Sequence, residues 1–493
     1  MIFTILLLFA GSIGIVVAGL VYLFTPPSNF PRNIPTIPFY YTLLPLISSN
    51  DQVDLYRKYL ERPLTEYGAV KLFFGGRWNL LVRKPSYIAE VFKNEDVYAK
   101  SGNQVKIPHS VLAEYTGDNI ISAHGENWKL YTSTFKPGLQ QDYDPAQIWK
   151  NASLLVNMML EEQRRTGSVN VNPILQRYTL ANLSEVVLGT TFETMEKPNA
   201  PLHAFQLRIK PKIFHPIFLN FPFLDLLKLP TRQEARTLVH QFTDELCQTV
   251  SRGHTACQHE KDQSKNLGCR LLGAHESGLL TDKQLQHNMI SAFLAGHENP
   301  QLLLISALFL LAENQDIQDA LRQEITSIPT AKPSHNADAL ATLPLLTSVI
   351  YEVLRLYPPI SQLINRRTTQ PILLGGMIPI PANTYLGYNA YSTNRDTEFW
   401  GANAEQFSPS RWGKSIEEIH ALFRRANAKG GFISFHGGRR ACLGQKFAML
   451  EARVTLAELV RRLRWEVDPE WERMMTPAGP LYARNLRLRF YAV

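Results

Sequence analysis

The chain has 493 residues, 45% of them hydrophobic, and a formal net charge of +8. That apolar content is ample for a large core. The charge is spread out with no basic-aromatic run, so no nucleic-acid partner is expected. Of the four cysteines, Cys247, Cys257 and Cys269 have no metal-ligand spacing. They read as free thiols of a reducing compartment, which excludes an extracellular disulfide framework.

Ile2 to Phe24 contains no charged residue. At about 1.5 Å per residue, a helix there is long enough to cross a bilayer with some tilt. A retained anchor over 1–25 is expected instead of a cleaved signal peptide, because no Lys or Arg precedes Arg32 and Thr25-Pro26-Pro27 follows directly. Arg32 and Lys58 place the body in the cytosol, where the sequons at Asn151 and Asn182 stay unmodified. Residues 26–49 are proline-rich and read as a stiff hinge. Residues 50–493 form the body.

Within the body, Gly125-Glu-Asn-Trp128 opens an early helix. The apolar stretch Ile213–Leu227 is interrupted by prolines, so it is no spanning helix, and it is expected to touch a membrane surface. Thr281 and Gln284 have capping-box spacing. Apolar residues then run from Met289 to about Leu311, as in a helix buried through the centre of a domain. Inside it lies Ala295-Gly296-His297-Glu298-Asn299-Pro300. Pro300 removes an N–H and is expected to kink the helix, freeing the Gly296 carbonyl. His297 reads as a packed or solvent-linked histidine, not a metal ligand.

Glu352-Val-Leu-Arg355 puts two opposite charges on one face of a helix expected over Pro344–Leu356, which Pro358 and Pro359 terminate. Phe407-Ser-Pro409-Ser-Arg411-Trp412 follows. Then comes Phe435-His-Gly-Gly438-Arg-Arg440-Ala-Cys442-Leu-Gly444, the pattern F-x-x-G-x-R-x-C-x-G. The glycines allow sharp turns and close approach to a flat group. A helix expected over Gln445–Leu459 aims free N–H groups at the sulfur, favouring a thiolate.

Taken together, these segments resemble the cytochrome P-450 superfamily, the haem-thiolate monooxygenases. The resemblance covers about residues 50–493. It implies a mainly α fold with small β-sheets, carried on a single N-terminal transmembrane helix. It implies haem b with Cys442 as axial iron ligand, in a loop that includes Phe435, Gly438 and Gly444. Arg440, Trp128 and Arg366 are expected near the haem propionates, with Arg367 competing for the last place. Thr132 stands where the family often has a basic residue, so Lys129 or Lys136 is a candidate substitute. Glu352, Arg355 and Arg411 form an ionic triad of structural role.

Ala295–Pro300 aligns with the family's oxygen-activation segment, making Glu298 and Asn299 the catalytic candidates. Asn299 replaces a threonine, which leaves two roles open for it, proton relay through water or shaping of the helix. The six residues are similar to fungal members of the dityrosine-forming and secondary-metabolism type. Substrate contacts are implied at Ser101–Ser122, around Phe293 and at Ile360–Ile364, none rich in charge, which suits an apolar or aromatic small molecule. With no flavin module in the chain, electrons would come from NADPH-cytochrome P-450 reductase, with cytochrome b5 as a further donor. Arg424, Arg425, Lys429, Arg439 and Lys446 are a candidate docking face for it. The implied location is the endoplasmic reticulum membrane, single-pass, facing the cytosol. The implied reaction is hydroxylation or oxidative coupling; a peroxide-using or reductase-independent peroxygenase or isomerase is the alternative.

Overall fold

The computed structural model describes residues 2–47, 51–257, 266–328 and 337–493. Helices dominate, and three small sheets are present among these residues. The largest has five strands in the order Ala69–Phe74, Arg77–Val82, Tyr385–Asn389, Gln362–Thr368, Tyr98–Lys100. A mainly α architecture with small sheets is what the motifs implied.

The central helix spans Asp282–Glu313 and starts with the expected capping box, Thr281 and Gln284 bonding reciprocally. It is buried along most of its length, because apolar residues occupy all its faces. It continues on both sides of Pro300. The helix Pro344–Leu356 has the expected bounds, with proline at its start and Pro358 beyond its end. The helix after the cysteine runs Gln445–Arg462, three residues past the expected end. Leu459 and Val460 are fully buried, and the chain passes directly into the strand Leu463–Val467.

The stretch Ile213–Leu227 breaks as its prolines require. Helix Pro201–Ile213 stops, a short helix Pro216–Asn220 follows, and a 3-10 turn covers Pro222–Leu226. Ile217, Phe223, Leu226 and Leu227 are exposed there.

Ile2–Phe24 is a 23-residue helix. Its end is fastened to the sheet: the Tyr22 hydroxyl donates to the Gly76 carbonyl at 2.6 Å, and Trp78 Nε1 donates to the Tyr22 carbonyl at 3.1 Å. Among the described residues, no helix is long and apolar enough to cross a membrane. The side chains of residues 2, 3 and 5–7 lie outside the described set, so part of the run that suggested an anchor is not described. Cys247 and Cys269 are free thiols, and the side chain of Cys257 lies outside the described residues.

Candidate active site

The cysteine loop is closed by one backbone bond, Cys442 N–H to the Phe435 carbonyl at 2.9 Å. Phe435 is buried and pins the start of the loop. Gly438 is left-handed at φ +64°, and a Cβ there would lie 2.6 Å from the Phe92 carbonyl oxygen. A Cβ on Gly437 would lie 2.7 Å from the Phe92 ring. The left-handed Gly438 makes the sharp turn expected of it, and both glycines are also required by the neighbouring helix Pro85–Lys93, a demand the sequence did not show. Gly444 has ordinary φ and precedes the helix Gln445–Arg462.

The backbone amides of Gly444 and Gln445 lie beside the Cys442 sulfur. Burial pushes the thiol up, and those two amides pull it back down. Cys442 is nonetheless accessible to a water-sized probe while protein surrounds it. Its exposed surface therefore faces an interior space. Ala295 on the central helix is likewise exposed, between half-buried Leu294 and Gly296. Among the described residues, no cluster of protein side chains could hold a bare metal ion.

Beside the loop lies an unbalanced set of charges. Arg440 donates to the Ala123 carbonyl at 2.7 Å, approaches Glu95 at 3.3 Å and lies over the Trp128 ring at 4.6 Å. Arg366 donates to the Tyr98 carbonyl at 3.1 Å and lies 3.6 Å from Glu95, with its Nε unpartnered. Lys100 is buried beside both. Burial, then the two arginines, push the Lys100 ammonium well below its ordinary value. Burial lowers Arg440 to about 10, and burial with Lys100 and Arg366 lowers His436 to about 3. Three buried cations share one carboxylate, and unpaired buried charge is costly. The basic groups outnumber the carboxylate and leave the Arg366 Nε and Arg440 Nη1 without a hydrogen-bond partner, a setting that the two anionic propionates of haem b would satisfy, so the residues present fit that group.

Lys100 is the residue that sequence reasoning missed. The candidate substitutes for a base at Thr132 fail: Lys129 pairs at the surface with Glu126 at 2.7 Å, and Lys136 is exposed. Thr132 Oγ1 is itself buried without a partner. The charge arrives instead from the strand Tyr98–Lys100. Arg366 is buried on the side of Glu95, whereas Arg367 points outward and donates to Asn383.

On the central helix, the Asn299 amide donates back to the Ala295 carbonyl at 3.3 Å. Glu298 is paired with Lys210 of the helix Pro201–Ile213 at 2.6 Å. One turn away on that helix, Gln206 Nε2 meets His297 Nε2 at 2.9 Å. The other ring nitrogen of His297 donates to the Phe293 carbonyl, and burial lowers its pKa to about 4. His297 is a packed histidine, as expected. Of the implied substrate stretches, Ile121 and Ile360 present accessible apolar surface.

Glu352 accepts hydrogen bonds from Arg355, Arg411, Trp412 and the Ser408 amide, so the three charges do form one buried group. Of the basic residues around the cysteine loop, Arg424, Arg425 and Lys429 are exposed, whereas Arg439 and Lys446 pair with Asp96 and Asp142.

The sequence matches the family model "Cytochrome P450" over residues 31–486. It is 46% identical over 470 residues to "Cytochrome P450-DIT2" of Saccharomyces cerevisiae, covering 94% of each chain. It is 41% identical over 464 residues to "Cytochrome P450 monooxygenase xanG" of Aspergillus fumigatus, covering 92% of this chain and 86% of the relative. It is 26% identical over 432 residues to "Cytochrome P450 734A1" of Arabidopsis thaliana, covering 85% and 79%.

Proposed function

We propose, for a chain that belongs to the cytochrome P450 family and is one of its haem-thiolate monooxygenases, hydroxylation or oxidative coupling of an apolar or aromatic small molecule in fungal secondary metabolism. One observation carries the site assignment. A cysteine sulfur flanked by two backbone amides faces an interior space beside three buried cations that share one carboxylate.

When bound, haem b supplies dioxygen activation with electrons from a reductase. The chain's residues do the rest. Cys442 is the ligand, fixed by the Phe435 carbonyl and lying beside the amides of Gly444 and Gln445. Arg366, Arg440 and Lys100 would hold the propionates by charge-assisted bonds, with Trp128 backing the Arg440 guanidinium. Glu298 and Asn299 handle protons through ordered water. Glu298 must leave Lys210 to do so. Reductase-driven oxygen uptake is the test of this reading; turnover with peroxide alone and none with reductase overturns it in favour of a peroxygenase.

Asn299→Ala is expected to uncouple the enzyme. Product per NADPH should fall by about a hundredfold, the low end of what a positioned proton donor contributes, and peroxide release should rise, with haem content unchanged. Asn299→Thr should recover part of the coupling. Equal coupling in the wild type and Asn299→Ala would reduce Asn299 to a helix-shaping residue.

Residues 1–25 anchor the enzyme in the endoplasmic reticulum membrane, 26–49 form the hinge, and 50–493 are the cytosolic catalytic domain. The uncharged run Ile2–Phe24 supports this. Deleting 1–25 should leave haem binding intact and release only part of the protein from membranes. The exposed Ile217, Phe223, Leu226 and Leu227 retain the remainder. Full release counts against that loop. Protection of the full-length body from added protease in sealed microsomes counts against the topology. NADPH-cytochrome P450 reductase and cytochrome b5 are the proposed electron donors, docking on Arg424, Arg425 and Lys429.

A further inference from the structure

A second group of uncompensated cations lies away from the cysteine loop. Arg77 opens the strand Arg77–Val82 just after the left-handed turn Gly75-Gly76, and Lys106 ends the short helix Asn103–Lys106. Both pack on one ring: Arg77 Cζ lies 4.8 Å and Lys106 Nζ 5.6 Å from the Tyr385 centroid. Lys106 Nζ also lies 5.4 Å from the Phe74 centroid. Arg77 donates to the Lys106 carbonyl, while its buried Nε has no partner.

Lys106 is only 3% exposed. Among the described residues, its ammonium has no hydrogen-bond partner and neither cation has a carboxylate. Burial, then the Arg77 charge, push the Lys106 pKa down to about 7. Three other buried cations, by contrast, have a partner. Lys71 Nζ donates to the Pro31 carbonyl at 2.8 Å, Arg232 pairs with Asp225, and Arg355 pairs with Glu352. Aromatic faces soften an unpaired cation but do not replace a counter-charge.

The surroundings show where an anion would enter. A Cβ on Gly75 would lie 3.3 Å from Lys106 Cε, and one on Gly76 would lie 2.9 Å from Pro222 Cδ. The turn therefore separates the ammonium from the Pro222–Leu226 segment with no room to spare. On the interior side, Tyr385 and Ile107 belong to the same apolar cluster as Phe293 and Ile364. Lys106 itself lies within the implied substrate stretch Ser101–Ser122, and the strand Tyr385–Asn389 that carries the shared ring pairs with Gln362–Thr368, which overlaps the stretch Ile360–Ile364, so the cations sit at the rim of the implied substrate region.

We propose that Arg77 and Lys106 form a carboxylate-accepting subsite at this rim, so that the substrate is an aromatic or apolar acid. This rests on the monooxygenase reading and deepens it to a substrate class. An entering carboxylate takes two guanidinium or ammonium bonds, and its charge restores the protonated state of Lys106 that burial disfavours. An anionic lipid headgroup has the same chemistry. The neighbouring bond from Tyr22 to Gly76 brings the N-terminal helix to this turn, so the lipid must be tested as a source.

The full-length haem-loaded protein in neutral-lipid nanodiscs is titrated with phenyl-capped carboxylic acids of increasing chain length, each beside its primary amide. Binding is followed by the haem absorption shift and by calorimetry. At least one acid is expected to bind about tenfold tighter than its amide. Lys106→Met and Arg77→Gln should erase that preference with amide affinity unchanged, and Lys106→Arg should keep it, which separates charge from folding. The same variants are floated with vesicles of phosphatidylcholine alone or with phosphatidylserine. Loss of the phosphatidylserine preference with acid preference intact assigns the anion to lipid and overturns the proposal. Equal affinity for acids and amides in the wild type overturns it as well. Reductase-driven oxygen uptake, measured on the same preparation, shows whether the monooxygenase reading survives that failure.

Discussion

Cys442→Ala is expected to reduce reductase-driven turnover to background and to abolish the absorption band of the reduced carbonyl complex that gives the family its name. The reasoning is electrostatic. Burial alone disfavours a thiolate at this position, and two amide donors recover only part of the loss. The remaining stabilisation must come from the bound iron, so sulfur and metal hold each other in place. Alanine removes the ligand without disturbing the bond from residue 442 N–H to the Phe435 carbonyl, so the loop should stay folded. Cys442→Ser tests the same point with nearly constant volume. It keeps an acceptor for the Gly444 and Gln445 amides, yet should show no thiolate band. Retention of that band in either variant would refute Cys442 as the ligand.

Punctuated segments were the legible ones. The helix Pro344–Leu356 was bounded correctly because prolines mark both ends, and the capping box at Thr281 and Gln284 fixed the start of the central helix. Cys442, Glu352, Arg355 and Arg411 were legible because their chemistry constrains spacing along the chain. Lys100 was not. It is one lysine in a three-residue strand, and nothing local says that it meets Arg366 and Arg440 from other elements. Arg366 and Arg367 could not be separated either, since adjacent strand residues face opposite sides and the sequence does not give the phase. The register shift between Ile364 and Arg366 sets that phase. The pairing of Lys210 with Glu298 joins residues 88 apart along the chain and left no trace in any pattern. The demand that Phe92 places on Gly437 and Gly438 was hidden in the same way.

Glu352→Gln is expected to destabilise the holoenzyme by about 3–5 kcal/mol, the usual cost of removing one partner from a buried ionic group. Five hydrogen bonds converge on this carboxylate, two from Arg355 at 2.8 Å, one each from Arg411 at 2.8 Å, Trp412 at 3.0 Å and the Ser408 amide at 3.0 Å. Glutamine keeps the volume but removes the charge, and its NH2 faces donors with nothing to accept. Arg355, with its side chain fully buried, and Arg411 would then have no counter-charge. The sign of the pH dependence follows from the same contacts. Burial pushes Glu352 up, but the bonds and charges of Arg355 and Arg411 overcome it, so the folded pKa lies below the ordinary glutamate value. The carboxylate's contribution is therefore fully present above the ordinary glutamate range and is lost as pH falls through the lowered folded value. Chemical denaturation of wild type and Glu352→Gln, followed by haem absorption, should show a gap that is widest at neutral pH and narrows on acidification. A gap that stays constant down to strongly acidic pH would mean that the charge of Glu352 does not stabilise the fold, leaving only the hydrogen-bond geometry behind the cysteine helix to account for the group.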